Sequence, residues 1–299
     1  MITISLCMIV KNEEDVLDRC LSSVAKAVDE LIIVDTGSTD QTRAIAARHQ
    51  AEIYDFPWID DFAAARNYSF DQASQDFILW LDADDIVPAD QLEKLLALKQ
   101  TLDERCDMVV MQYRTAFDSE GRPTFSFPRE RLIRRGAHLR WQGAVHETIP
   151  FVPRRYVSDI AIEHHKVHCA DPQRNLRILE KLKQAGTLDI RQRYYYAREL
   201  ADHQRYEEAL AEYEMFLNDP AGWSENKIDA CLSMARCWHA LKQRQKEFSS
   251  LIQALRYAPP RGEICCGLGR YFYLEKNWEC AVFWYKLATT LPLPLDRGG

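Results

Sequence analysis

A chain of 299 residues can bury more than one core, and its length sets an expectation of about two domains. Hydrophobic residues at 47% and charged residues at 28% fit a globular protein, while a formal charge of −7 gives no general polyanion-binding surface and argues against nucleic acid as a partner. The nine cysteines are odd in number and lack a Cys-x-x-Cys, which counts against a disulfide framework and a zinc site and points to a reducing cytoplasm.

In chain order, Ile2 to Val10 is apolar and β-branched and meets Lys11-Asn12-Glu13-Glu14 within a strand's length. Without a basic leader this predicts a strand ending at a site, not a signal peptide or a membrane span. A helix is expected from Asp15 to Lys26, then a buried strand at Leu31–Val34 that runs into Asp35-Thr36-Gly37-Ser38-Thr39-Asp40. The next helix should start within Ser38–Asp40 and reach about His49. A strand at Ala51–Phe56 and a small-residue helix at Phe62–Ala73, carrying Arg66 and Asn67, follow.

Phe77-Ile78-Leu79-Trp80-Leu81 then ends abruptly in Asp82-Ala83-Asp84-Asp85. An Asp-x-Asp pair at a strand end can hold a hard, oxygen-liganded Mg²⁺ or Mn²⁺ with positions left for phosphate oxygens, although acidic caps on a strand-to-helix turn look the same in isolation. A helix at Ala89–Leu102 and a strand at Met108–Met111 complete an alternation that predicts a largely parallel sheet covered on both faces, with ligands at the carboxyl ends of its strands.

Val34-Asp35-Thr36-Gly37-Ser38-Thr39-Asp40-Gln41-Thr42 followed by Leu81-Asp82-Ala83-Asp84-Asp85 resembles the family 2 glycosyltransferases of the GT-A fold over roughly the first half of the chain. The resemblance implies a UDP-sugar donor. Asp35 would hold its uracil or ribose, Asp82 would sit near the ribose, and Asp84 would bind the metal. The loop from Ile9 to Glu14, with Ile9, Lys11 and Glu13, would wall the nucleotide pocket, with Arg66 beside the base or diphosphate. Many members carry Pro-x-Tyr-Asn-Glu there; Lys11 replaces the aromatic ring, so no stacking partner for the base is expected at that position.

Beyond residue 112, two polar-aromatic stretches around Gly121 and Pro123 suggest a hairpin, and the basic run Arg129–Arg135 reads equally as a solvated strand face or a diphosphate or acceptor contact. Trp141-Gln142-Gly143-Ala144-Val145-His146-Glu147 looks like the segment that supplies the general base in GT-A enzymes, which implies that role for Glu147, with His146 as its rival. Ile160-Ala161-Ile162-Glu163-His164-His165 alternates like a strand. GT-A enzymes often draw a metal ligand from such a histidine, which favours His164, on the parity of Ile160 and Ile162, over His165.

From about Pro172 the pattern changes to amphipathic helices. Ala197, Ala235 and Gly269 recur near the tetratricopeptide period of about 34 residues, within three helix pairs whose aromatic residues fill the gaps between pairs. The expected division is 1–171, a GT-A domain of α/β class, and 172–299, an all-α tetratricopeptide-like domain that presents a peptide-binding surface, braces the enzyme or forms a homodimer. The chain closes on Leu293–Gly299 without a polar capping helix, as a shortened version of a longer protein would.

This two-part layout, with Phe62–Asn67, Tyr194–Leu200 and Val282–Tyr285, resembles the bacterial glycocin glycosyltransferases of the sublancin type. That implies inverting, metal-dependent transfer of a hexose from a UDP-sugar to Cys or Ser of a precursor peptide. The alternatives are a family 2 enzyme for a saccharide or lipid-linked acceptor, or an inactive peptide-binding scaffold.

Overall fold

The computed structural model describes residues 1–167 and 171–292, so the closing Leu293–Gly299 segment lies outside it. Contacts divide the chain into two compact units that change over between Asp171 and Pro172.

The first unit begins with alternating elements: β1 (Ile4–Val10), α1 (Leu17–Val24), β2 (Glu30–Asp35), α2 (Thr42–Arg48), β3 (Glu52–Asp55), α3 (Phe62–Gln72) and β4 (Phe77–Trp80). The four strands pair in parallel in the order β3-β2-β1-β4. Strand alternation sends side chains to both faces. Leu6 and Met8 join Leu17, Leu21 and Val24 of α1 in one apolar cluster, while Cys7, Ile32, Ile78 and Trp80 join Ala63 and Phe70 of α3 in another.

The short β5 (Asp85–Ile86) leads to α4 (Ala89–Thr101), whose Leu95 enters the α1-side cluster. The second half of the sheet is mixed. β6 (Met108–Phe117) and β7 (Pro123–Arg134) form the expected hairpin; β7 is antiparallel to β4, β8 (Arg155–His164) is parallel to β6, and β5 pairs antiparallel with the end of β8. Helix α2 starts later than the sequence suggests. Ser38 bonds Asp35 and the Thr39 backbone N–H donates to Asn12, while Asp40 Oδ1 does accept from the N–H of Thr42, the first residue of α2.

The second unit is helical throughout its described length: α5 (Arg174–Gln184), α6 (Ile190–Asp202), α7 (Tyr206–Asn218), α8 (Ser224–Ala240), α9 (Arg244–Gln253), α10 (Gly262–Leu274) and α11 (Trp278–Thr290). The pairs α6/α7, α8/α9 and α10/α11 make its most extensive packing. Ala197, Ala235 and Gly269, singled out by their spacing, are all buried. At Gly269 a Cβ would lie 2.9 Å from the Tyr285 ring of α11, so a side chain there would force the pair apart. Among the described residues no helix is long and apolar enough to cross a membrane.

Ala197 on α6 is fully enclosed. Ala197→Leu should destabilise the helical unit by about 1–3 kcal/mol, the usual cost of overpacking, read as a lower urea midpoint in the helical circular dichroism signal.

Candidate active site

The parallel strands deliver their carboxyl ends to one edge of the sheet. Chain order reverses between β1 and β4, where such sheets open a crevice. The loops after β1 and β2 are laced together there. Asn12 N–H donates to Ser38 Oγ (3.0 Å), Glu13 N–H to Thr42 Oγ1 (2.7 Å), and Gln41 N–H to Glu14 Oε2 (2.9 Å). Asn12 turns the first loop through a left-handed backbone, φ 55°. Ile9 and Glu13 are half-buried in this wall and Lys11 is exposed. Asp35 is buried at the end of β2, with Oδ1 accepting from Ser38 N–H and Oγ–H and Oδ2 paired to Arg43 at 2.9 Å. Burial opposes ionisation of Asp35, but the Ser38 and Arg43 hydrogen bonds outweigh it and hold the carboxyl below its usual range.

The second group is built by α3. Arg66 lies one helical turn past the start of α3. It donates from Nη2 to Asp82 Oδ1 (2.7 Å) and from Nε to Glu147 Oε1 (2.8 Å). Its guanidinium carbon is 5.0 Å from the ring centroids of both Trp80 and Trp141. Asn67 fixes the Trp141 backbone on both sides, Nδ2 to the carbonyl at 3.0 Å and Oδ1 from the N–H at 2.9 Å. Phe62 N–H donates to Ala144 O at 2.8 Å. Gly143 (φ 93°), between these anchors, and His146 (φ 51°), after them, take left-handed conformations on the way to Glu147, which bonds Arg66. Burial favours a neutral Asp82, yet Arg66 and then Arg131 overcome it and draw its carboxyl down to about 2.

The third group is acidic. Asp84, Asp85 and His164 each offer a ligand atom, all within 4.8 Å of one another. The β5–β8 pairing sets Asp85 opposite His164, whose Nδ1 is 3.3 Å from Asp84 Oδ1 and 3.3 Å from Asp85 Oδ1. Hydrogen bonds to Asp84 and then Asp85 push the His164 imidazole up to about 10. His165 faces elsewhere, stacked on Phe117 and bonded to Glu163. Asp85 is wholly buried and already accepts from Tyr113 Oη (2.8 Å), Arg131 Nη1 (2.9 Å) and Asp82 N–H (3.0 Å). Asp84 and His164 remain partly open to solvent, a carboxylate and an imidazole suited to Mg²⁺ or Mn²⁺ with Asp85 behind them.

Arg131 contradicts the reading of residues 129–135 as a solvated face. It is fully buried, ion-paired to Asp85, with its guanidinium carbon 3.9 Å from the Trp80 ring centroid and 4.2 Å from that of Tyr113. Tyr113 escaped the sequence reading, and Asp85 and Arg131, seen there only within the acidic motif and the basic run, were given no role of their own. The signal that could have found Arg131 is its place directly before Leu132-Ile133, a charge continuous with an apolar run.

Residues 5–157, half of the chain, match the model of Glycosyl transferase family 2, and the chain belongs to that family. It is 41% identical over 151 residues to a TPR repeat-containing protein of Synechococcus elongatus, a match that covers 50% of this chain and 36% of that protein. It is 25% identical over 246 residues to the SPbeta prophage-derived glycosyltransferase SunS of Bacillus subtilis, which covers 76% of this chain and 57% of the relative. The chain therefore spans little more than a third and less than two thirds of these two relatives. Among solved structures, glucosyl-3-phosphoglycerate synthase from Mycobacterium tuberculosis, in complex with Mn²⁺, UDP and phosphoglyceric acid, aligns with a TM-score of 0.42 at 19% identity over 63% of this chain and 80% of that one.

Removing one partner of a buried ion pair strands the other charge, so Arg131→Met should cost about 3–5 kcal/mol in urea unfolding, and adding Asp85→Asn should recover part of it. A cation that binds His164 must displace the proton its acidic neighbours hold there. Mn²⁺ titrations near neutral pH in buffers of differing ionisation enthalpy should release about one proton per ion. Affinity should rise with pH, and proton release should vanish in His164→Ala.

Proposed function

We propose that this chain is an inverting glycosyltransferase that moves a hexose from a UDP-sugar to a Cys or Ser side chain of a peptide with the help of a divalent cation. The observation that carries the reading is the meeting, on one edge of a family 2 sheet, of the Asp84–Asp85–His164 cluster with a second carboxylate centre, Asp82 and Glu147 joined through Arg66. Asp84 and His164 are the residues that would hold Mg²⁺ or Mn²⁺. Such an ion, when bound, supplies charge neutralisation for the departing diphosphate.

Asp35, ionised and held by Ser38 and Arg43, would orient the uracil or ribose, with Asp82 near the ribose and Ile9, Lys11 and Glu13 along the pocket wall. Arg66 occupies Glu147 Oε1 and leaves Oε2 for the acceptor. As the acceptor sulfur or oxygen bonds to the anomeric carbon, the carbon–oxygen bond to the diphosphate breaks, UDP leaves with that electron pair, and the acceptor proton passes to Glu147. A peptide acceptor is supported by the resemblance to the glycocin transferases, by the likeness to the glycosyltransferase SunS, and by the helix pairs of the second unit, whose stacked architecture suits extended ligands.

UDP release from a panel of UDP-sugars, with Mn²⁺ or Mg²⁺ and then with EDTA, tests the assignment. Metal-dependent release that rises with a Cys/Ser peptide, together with a hexose mass added to that peptide, is the expected result; no turnover of any UDP-sugar by the folded chain overturns it. Glu147→Gln should lower transfer to a Ser peptide by about 10²–10⁴-fold. The loss should be smaller for a matched Cys peptide, because a thiol with a pKa of about 8.5 already supplies some thiolate. Equal losses on the two peptides would contradict the base role.

A further inference from the structure

Arg66 touches both sides of the candidate site. Its Nη2 is 2.7 Å from Asp82, which follows β4, and its Nε is 2.8 Å from Glu147, on the loop that begins at Trp141. The residue is only 8% exposed, and its guanidinium has an indole ring on each of two sides, Trp80 and Trp141. These indoles pack edge to face with centroids 4.8 Å apart. A guanidinium so far from water is stable only when its partners are fixed, and here two carboxylates and two rings fix it. Burial works against its charge, but Asp82 and Glu147 more than compensate and strengthen its hold on the proton. The sequence reading set Arg66 against the donor's base or diphosphate, whereas its Nε and Nη2 are committed to carboxylates.

The same helix secures the loop that carries Glu147. Phe62 N–H and the Asn67 amide bind its backbone, and Arg66 binds its carboxylate. We infer that Arg66 is a positioning residue that ties the proton-accepting carboxylate, Glu147, to the nucleotide-side carboxylate, Asp82, so that the two are set as one rigid unit. The inference rests on the roles proposed above for Glu147 and Asp82. Its consequence is kinetic. Releasing the tie lets Glu147 drift from the acceptor, and misplacement by about 1 Å costs on the order of 100-fold in rate.

The test is Arg66→Ala in the full chain, with circular dichroism to establish folding. At saturating UDP-sugar, kcat should fall on the order of 100-fold, a larger change than in the donor KM. Guanidinium ion should enter the vacated slot beside Trp80 and Trp141, change tryptophan fluorescence, and restore part of kcat; urea, similar in shape but uncharged, should not. In a Glu147→Gln background the Arg66→Ala loss should be largely absent, because residues acting as a unit are not additive. Unchanged kcat, equal rescue by urea, guanidinium that binds without restoring turnover, or full multiplication of the two losses each overturns the inference. If Arg66→Ala does not fold, Arg66→Lys decides: it keeps the charge without the fork, so reduced kcat supports the tie and unchanged kcat refutes it. A wild-type chain that turns over no UDP-sugar defeats the functional reading instead, while fluorescence still reports whether the slot binds guanidinium.

Discussion

Arg131 places a full positive charge inside the sheet with no exposed surface, and the only carboxylate paired with it among the described residues is Asp85, equally enclosed. Taking two ions out of water costs several kcal/mol each after relaxation, and here the compensation is uneven: Nη1 carries the hydrogen bonds, while Nε and Nη2 of Arg131 are buried without a hydrogen-bond partner among the described residues. Trp80 and Tyr113 cover the guanidinium, the Trp80 carbonyl accepts a second bond from Nη1, and Tyr113 donates to Asp85. The bond from Asp82 N–H to Asp85 then shapes the turn after β4, and the β5–β8 pairing brings His164 alongside. The three acidic residues of the turn thus divide their work by environment. Asp85 is the internal anchor, Asp84 points toward solvent beside His164, and Asp82 reaches the Arg66 side.

Much of the fold was legible because it is local. Of the first four strands, β1, β2 and β4 announce themselves as apolar runs that break into polar residues, and alternation with helices implies parallel pairing. The family resemblance pointed to the carboxyl edge, and Asp35, Asp82 and Asp84 do lie along it. Arg131 was not legible, because what buries it is a partner 46 residues away together with two rings from other strands. The late start of α2 has a similar origin: Ser38, Thr39 and Asp40 are good caps in isolation, but loop-to-loop bonds compete for them. Arg66 was visible as a candidate, yet its partners could not be read, since Glu147 comes from a segment 81 residues later.

The helical unit follows a different logic. Each of its main interfaces joins neighbours in sequence, so spacing alone exposed the helix pairs; Ala197, Ala235 and Gly269 are buried, and Gly269 leaves room for the Tyr285 ring. Its polar ties skip at most one helix: Glu212 of α7, almost fully buried, is held by Lys183 of α5 and Arg193 of α6, and Tyr194 of α6 donates to Asp229 of α8 at 2.7 Å. Nearest-neighbour packing of this kind lets stability accumulate pair by pair, whereas the sheet needs distant strands in register before its buried charges are satisfied.

The lacing of the loops after β1 and β2 has an evolutionary consequence. Asn12 accepts from the Thr39 backbone and donates its own N–H to Ser38, and Glu14 and Asp40 each accept from the backbone of the opposite loop. These bonds lie at the surface, where water can satisfy a group that a single replacement frees, so each loop can change one residue at a time while the remaining ties hold the two together.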